Sequence, residues 1–300
     1  MIASAPLHRE LESDIETIEN DASLVDEINF AGRVEAIDRL EFHILDRLEI
    51  TLDSNHADDL RKLKSRAASM KERLERINEE ILQRLRNRIK SGALIGEQFR
   101  SELTKYDEDK NNSGKDYDSL DVFVNGLLRL DTPPQETKPR ESEMVFYQPT
   151  PARGILALID KANITRNDVF YDLGSGLGQV CILVNLLTGA ISKGVEFEPA
   201  YCDYARQCAR RLNLPEVEFV NQDARAADYA DGTIFFMYTP FRGKLLQQVL
   251  RKLEGEAQNR GIRICTYGPC SQQVSAQPWL KCVEQNVGEE YQFAVFDAVK

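Results

Sequence analysis

One turn constrains this chain more than any other feature. Val169-Phe170-Tyr171-Asp172-Leu173 is a short apolar run carrying a single acid. It passes through Gly174-Ser175-Gly176-Leu177-Gly178 into the apolar stretch that begins Gln179-Val180. A strand must turn sharply into a helix here, and glycine allows both unusual torsions and close approach of a ligand to the backbone. The spacing is GxGxG, not the GxGxxG that seats a dinucleotide pyrophosphate on a helix N-terminus. Asp172, just before the turn, suits a cationic amino group.

Further motifs follow in order. Gly194-Val195-Glu196-Phe197-Glu198-Pro199 closes the next strand. Glu196 lies twenty residues beyond Gly176 and can accept from both hydroxyls of a ribose. Glu198 is the competing acid, its other role being a favourable charge in the first turn of a helix. Phe197 can pack on an adenine face. In Asn221-Gln222-Asp223-Ala224, Asp223 can accept from an adenine amino group and the Ala224 amide can reach a ring nitrogen. With Asp172, these residues outline a three-point site for S-adenosylmethionine (SAM).

Tyr238-Thr239-Pro240-Phe241 ends the strand that would face the departing methyl group, and makes the substrate side. Upstream, Phe146-Tyr147-Gln148-Pro149-Thr150-Pro151 opens a helix. Thr150 can cap that helix, or the loop can fold over the carboxylate and sulfonium end of the ligand.

Around these motifs, helix and strand patterns alternate. Helices are expected at 151–161, 178–188, 199–212 and 244–252. Strands are expected at 169–173, 193–197, 216–221, 233–238 and 262–267. Two strands, at 281–287 and 291–298, close the chain with a glycine-containing turn and no helix between them. Such alternation builds a doubly wound α/β sheet, and the closing pair implies an antiparallel edge.

The first half reads differently. Leu60, Leu63, Ala67, Met70, Leu74, Ile77 and Ile81 repeat at 3-4 spacing, the seam of a helix packed lengthwise on another. Leu82, Leu85 and Ile89 carry the stripe on. Ser54 or Asn55 can cap the helix start, Asp58 and Asp59 suit its first turn, and Gly92 can end it. A second stripe (Phe30, Val34, Ile37, Leu40, Ile44, Leu48) offers a partner, and Leu7, Leu11, Ile15 and Ile18 suggest a helix before it. Residues 10–60 hold 16 acids and 3 bases, and residues 61–90 hold 11 bases and 4 acids, so folding one on the other neutralises both. The expected organisation is an all-α bundle or hairpin over 1–105, a linker with a mobile loop at 106–118 and a short helix at 120–130 over 106–142, and the α/β domain over 143–300. The seam can close within the chain or join a homodimer.

Net charge is −11, with −8 of it in residues 1–140. Neither half is the broad basic surface of a nucleic-acid binder. No apolar run is long enough for a membrane span, and the start lacks the pattern of a signal peptide. Six cysteines at 181, 202, 208, 265, 270 and 282 form no CxxC pair, which fits buried thiols in a reducing, cytoplasmic setting. The three histidines (8, 43 and 56) all precede the glycine turn, so a histidine base or histidine-based metal site in the α/β domain is excluded; no metal is expected.

The segment from Tyr147 to about Lys300 resembles class I SAM-dependent methyltransferases in motif order and spacing. Tyr147-Gln148-Pro149-Thr150-Pro151, Asp172–Val180 and Gly194-Val195-Glu196 are similar to non-SET protein-lysine methyltransferases, the histone-modifying ones among them. The resemblance implies a Rossmann-like seven-stranded sheet with an antiparallel terminal strand and SAM as cofactor. It implies cofactor contacts from Tyr147, Thr150, Asp172, Gly174, Gly176, Gln179, Glu196, Phe197, Asp223 and Ala224. One element departs. Histone enzymes place asparagine in their Asn-Pro-Pro-Tyr/Phe-like element, where Tyr238 stands here.

Methyl transfer from a sulfonium needs alignment of nucleophile, methyl and sulfur more than acid–base chemistry. With no histidine available, Tyr238 is the candidate catalytic residue. The expectation is a SAM-dependent methyltransferase, with a protein acceptor favoured by the attached helical half, which is also the expected partner-binding part. Residues of that half or of the loop at 140–150 are expected at the cofactor mouth. The alternative is a non-catalytic scaffold of the same fold whose helices bind protein partners.

Overall fold

A computed structural model describes residues 4–51, 57–107, 117–130, 132–285 and 293–299. The expected cap at Ser54 or Asn55, most of the loop at 106–118 and the closing glycine turn near 288 lie outside the described residues. The chain divides into two compact units. One comprises Met1–Leu85, Leu103–Lys110 and Asp118–Leu127; the other comprises Arg86–Glu102, Asn111–Tyr117 and Leu128–Lys300.

The chain opens with α1 (Ser4–Glu19), α2 (Phe30–Asp38), α3 (Asp46–Thr51), α4 (Ala57–Lys90), α5 (Glu97–Thr104) and α6 (Ser119–Leu128). In the first unit Leu60, Leu63, Ala67 and Leu74 of α4 are buried in one cluster with Leu11, Ile15 and Ile18 of α1 and with Ala36, Leu40, Ile44 and Leu48. These seam residues pack inside one chain, the first of the two closures the sequence allowed. The charge pattern is used the same way. Lys64 pairs with Glu49, Arg66 with Glu12 and Glu19, Lys71 with Glu41, and Arg84 with Glu27.

The second stripe departs from expectation by one residue. Val34 and Ile37 are only half-buried, and Arg33 and Ala36 take the core positions. Residues Arg39–Leu45 then form a π-helix between α2 and α3. The wider turn accommodates a four-residue step from Leu40 to Ile44, and Leu48 follows four further on. At the other end of α4, the Gly92 amide donates to the Ile89 carbonyl and the Ala93 amide to the Arg88 carbonyl, with Gly92 at φ +74°. This is a Schellman ending, as the glycine suggested.

The second unit holds α7 (Ala152–Ala162), β1 (Val169–Leu173), α8 (Gln179–Thr188), β2 (Ile191–Glu196), α9 (Pro199–Leu212), β3 (Val217–Asn221), β4 (Ile234–Met237), α10 (Gly243–Ala257), β5 (Arg263–Tyr267), α11 (Cys270–Ser275), β6 (Leu280–Gln285) and β7 (Phe293–Ala298). Among the described residues the strands make one seven-stranded sheet in the order β3-β2-β1-β4-β5-β7-β6. Strands β1 to β5 are parallel, and β7 runs antiparallel between β5 and β6. A doubly wound sheet places its binding crevice at the carboxyl ends of the strands where the order reverses, here between β1 and β4. The short helix α11 follows Gly268-Pro269, a segment for which the sequence suggested no element. All six cysteines are free thiols, and five are buried. Among the described residues no helix is long and apolar enough to cross a membrane, and no cluster of ligating side chains could hold a metal.

Candidate active site

The glycine turn is built as its sequence requires. Gly174, Gly176 and Gly178 all have positive φ, at +85°, +52° and +84°. All three also stand where a side chain would collide, Gly178 against the Phe219 ring at 2.4 Å. A Cβ on Gly174 would lie 2.4 Å from the Pro240 ring, and one on Gly176 would lie 2.3 Å from the Tyr147 ring. The turn is thus packed beneath both the end of β4 and the loop before α7. The Gly174 and Ser175 amides donate to the Val195 carbonyl, at 2.8 and 3.2 Å, which fixes the turn against the end of β2.

Above it lies a cavity of about 330 Å³, within the size range of small-molecule sites. Every residue expected at the cofactor lines it: Tyr147, Thr150, Asp172, Gly174, Gly176, Gln179, Glu196, Phe197, Asp223 and Ala224. So do Tyr238, Thr239, Pro240 and Phe241. The loop at 140–150 supplies part of the wall, as expected. Thr150 does not cap α7, because Pro151 stands at its N-cap and no side chain caps the turn. Thr150 is buried in the wall instead.

The acids divide into two kinds. Asp172 is 4 % exposed, and no donor among the described residues is placed against its carboxylate. Burial, and then the neighbouring Glu196, push its pKa up to about 8. Glu196 is 9 % exposed and also raised, chiefly by burial. Its Oε2 accepts from the Gly176 amide at 2.7 Å and its Oε1 from the Glu198 amide at 2.8 Å. The Phe197 amide also holds it down, so three backbone amides orient this carboxylate at the cavity wall.

Glu198 and Asp223 are satisfied by the protein. Burial acts against Glu198, yet Thr137 Oγ1 and the amides of Ala200 and Lys138 hold it below its ordinary value. Glu198 therefore caps α9 and ties residues 137–138. Asp223 is held low by the Arg225 guanidinium. Sequence reasoning missed these tethering groups, together with Glu136, Lys138, Arg140 and Tyr201, all of which line the cavity. Lys138 Nζ sits 3.3 Å over the Phe197 ring. Burial and then Glu136 push the Tyr201 hydroxyl up to about 12.

At the substrate side, Thr239 has φ +40°, a strained setting for a β-branched residue. Its hydroxyl donates to the Tyr267 carbonyl at 3.0 Å and accepts from the Cys270 amide at 3.2 Å, which holds the strain in place. Tyr238 packs edge-on to Tyr267, with ring centroids 4.7 Å apart. Tyr147 is pushed upward by burial, then by Tyr201, Asp172 and Glu196, so it stays a neutral hydroxyl.

This sheet order, with its inserted antiparallel strand and a glycine turn after β1, is the fold of the class I SAM-dependent methyltransferases. Within that class, the model of the family described as histone methylation protein DOT1 matches residues 142–230. No curated protein matches the chain significantly. Similar solved structures include an RNA methyltransferase from Salinibacter ruber in complex with S-adenosyl-L-homocysteine, 23 % identical over 50 % of this chain and 92 % of that one, TM-score 0.40. A SAM-dependent methyltransferase from Aquifex aeolicus is 14 % identical over 48 % and 88 %, TM-score 0.40. A precorrin-6y C5,15-methyltransferase from Geobacter metallireducens GS-15 is 15 % identical over 52 % and 94 %, TM-score 0.40.

Proposed function

We propose that the chain is a SAM-dependent methyltransferase acting on a protein side chain. The observation that carries the cofactor half of this reading is a buried carboxylate, Asp172, at the cavity with no hydrogen-bond partner among the described residues. Burying an acid this way is unfavourable unless a cation joins it. The α-ammonium of SAM would supply that cation, and the backbone-oriented carboxylate of Glu196 suits the ribose hydroxyls. Phe197 and Ala224 line the base end. The DOT1 match supports a protein acceptor.

When bound, SAM supplies an electrophilic methyl on a sulfonium. The chain's own residues then orient and exclude. Tyr147 covers Gly176 and closes the cavity from the α7 side, while Pro240 covers Gly174 from the β4 side. Thr239, pinned to Tyr267 and Cys270, sets where Tyr238 and Pro240 stand. On this reading Tyr238 would align the acceptor rather than take its proton, so the acceptor should arrive as a neutral amine or another nucleophile that needs no base.

Calorimetry with SAM and S-adenosylhomocysteine tests the cofactor, and transfer of radiolabelled methyl from SAM into fractionated host extract tests the acceptor. Label in protein is expected. Absence of binding at millimolar concentration would sink the cofactor assignment, and label confined to nucleic acid or small molecules would sink the protein acceptor. Binding without any transfer would favour the scaffold reading, for which the tyrosine at 238 in place of asparagine is the supporting observation.

A further inference from the structure

Residues 136–143 run along the cavity and are tied to three strand ends. Glu136 accepts from the Tyr201 hydroxyl at 3.2 Å, and Thr137 and Lys138 are held by Glu198 after β2. At the far end the Glu143 carboxylate accepts from the Lys244 and Leu245 amides at the start of α10, and the Glu143 carbonyl accepts from Arg242. Between these anchors Arg225, after β3, reaches Glu141 at 2.5 Å. Glu136, Lys138 and Arg140 of this segment line the cavity, so the segment is part of its wall.

Arg225 also occupies Asp223. Oδ1 accepts from the Arg225 amide at 2.8 Å and from Nε at 2.9 Å; Oδ2 accepts from Nε at 3.1 Å and from Nη2 at 2.5 Å. These four contacts come from three N–H groups, the single Nε hydrogen being shared between both oxygens, so Arg225 engages both Asp223 oxygens and most of their acceptor directions. An adenine amino group would have to share Asp223 with a guanidinium, which is always charged and matches the carboxylate as a fork.

We propose that Arg225 is a positioning residue that latches residues 136–143 over the base end of the cavity, and that Asp223 serves this latch instead of reading the adenine amino group. The proposal rests on the reading of the cavity as a SAM site. The latch lies at the rim, with the Arg225, Asp223 and Glu141 side chains all partly exposed, so its effect is moderate. It slows the departure of cofactor more than it changes its arrival.

Two measurements on the full chain test this. First, the dissociation rate of S-adenosylhomocysteine is compared with that of S-inosylhomocysteine, which carries an oxo group in place of the 6-amino group. Arg225→Ala, Glu141→Gln and Asp223→Asn should each speed release of both ligands by about three- to tenfold, leaving their ratio as in the wild type. The proposal is overturned if Asp223→Asn abolishes the discrimination while Arg225→Ala leaves the rates unchanged. Second, hydrogen exchange is followed over residues 136–143 without ligand. Arg225→Ala should exchange faster there, and exchange equal to wild type would overturn the latch. If the wild type binds neither ligand, the SAM reading fails, and the exchange arm still decides whether the latch exists.

Discussion

Each compact unit buries a charge, and the two are treated in opposite ways. Arg33 in the helical unit is 0 % exposed. Its Nε donates to Asn78 Oδ1 at 2.6 Å, and its terminal nitrogens donate to the carbonyls of Leu24, Asp26 and Glu27. Asp172 in the α/β unit is nearly as buried and has no such donors among the described residues. A buried charge that the backbone satisfies is architecture, since it fixes the path of residues 24–27 against α4. A buried charge left open toward a cavity destabilises the fold and is explained by a ligand.

The largest effect should come from breaking the satisfied charge. Arg33→Leu leaves three carbonyls and the Asn78 carboxamide oxygen without their donor, and should cost about 3–5 kcal/mol. Urea unfolding followed by circular dichroism measures it. A cost below about 1 kcal/mol would mean that water replaces the guanidinium and that Arg33 is not structural.

Breaking the unsatisfied charge should do the reverse. Asp172→Asn should weaken SAM binding by about 100-fold, near 2.7 kcal/mol, because a charge-assisted contact is lost. It should also raise the melting temperature of the ligand-free protein at pH 8. Unchanged affinity would remove Asp172 from the site, and a lower melting temperature would show that the carboxylate is satisfied after all. The pH dependence follows from the same group. Its ordinary value is 3.8 and its folded value is about 8, so the folded state holds the proton more tightly. The stability this confers is complete below about pH 4 and is lost as pH rises through about 8. Asp172→Asn should flatten that slope. A cation bound beside Asp172 favours the ionised form, so SAM binding at pH 7 should release a proton. Calorimetry in buffers of different ionisation enthalpy reads the release directly, and none in the wild type would contradict the assignment.

The contrast also shows what a sequence can carry. Asp172, Glu196 and the three glycines were legible because each is dictated locally. The glycines need positive φ, and the acids sit at fixed offsets at the ends of apolar strands. The heptad seam and the opposed charges of α1–α4 were legible because periodicity encodes the buried face. Arg33 was not, because its burial depends on three carbonyls that a chain bend brings together, and the apolar period pointed to Val34 instead. Residues 136–143 were not legible as cavity wall for a similar reason. Pro133-Pro134 and Pro139 mark them as linker, and their order comes from Glu198, Arg225 and the start of α10, between 60 and 102 residues away. The place of β7 between β5 and β6 is likewise a long-range pairing choice.

The smallest effects separate backbone strain from site packing. Gly92 and Gly176 both have positive φ, at +74° and +52°. Nothing lies within 4 Å of a Cβ on Gly92, whereas one on Gly176 would press on the Tyr147 ring. Gly92→Ala should therefore cost only the left-handed strain, about 1–2 kcal/mol, and leave SAM affinity as it was. Gly176→Ala should pay the same strain and also push Tyr147 out of the wall, weakening SAM binding by about tenfold or more. The difference between the two variants in affinity, at matched loss of stability, measures how much of the turn serves the ligand. If Gly92→Ala weakened binding as much as Gly176→Ala, the affinity loss would track general destabilisation, and the packing of Tyr147 on the turn would have no separate part in holding the cofactor.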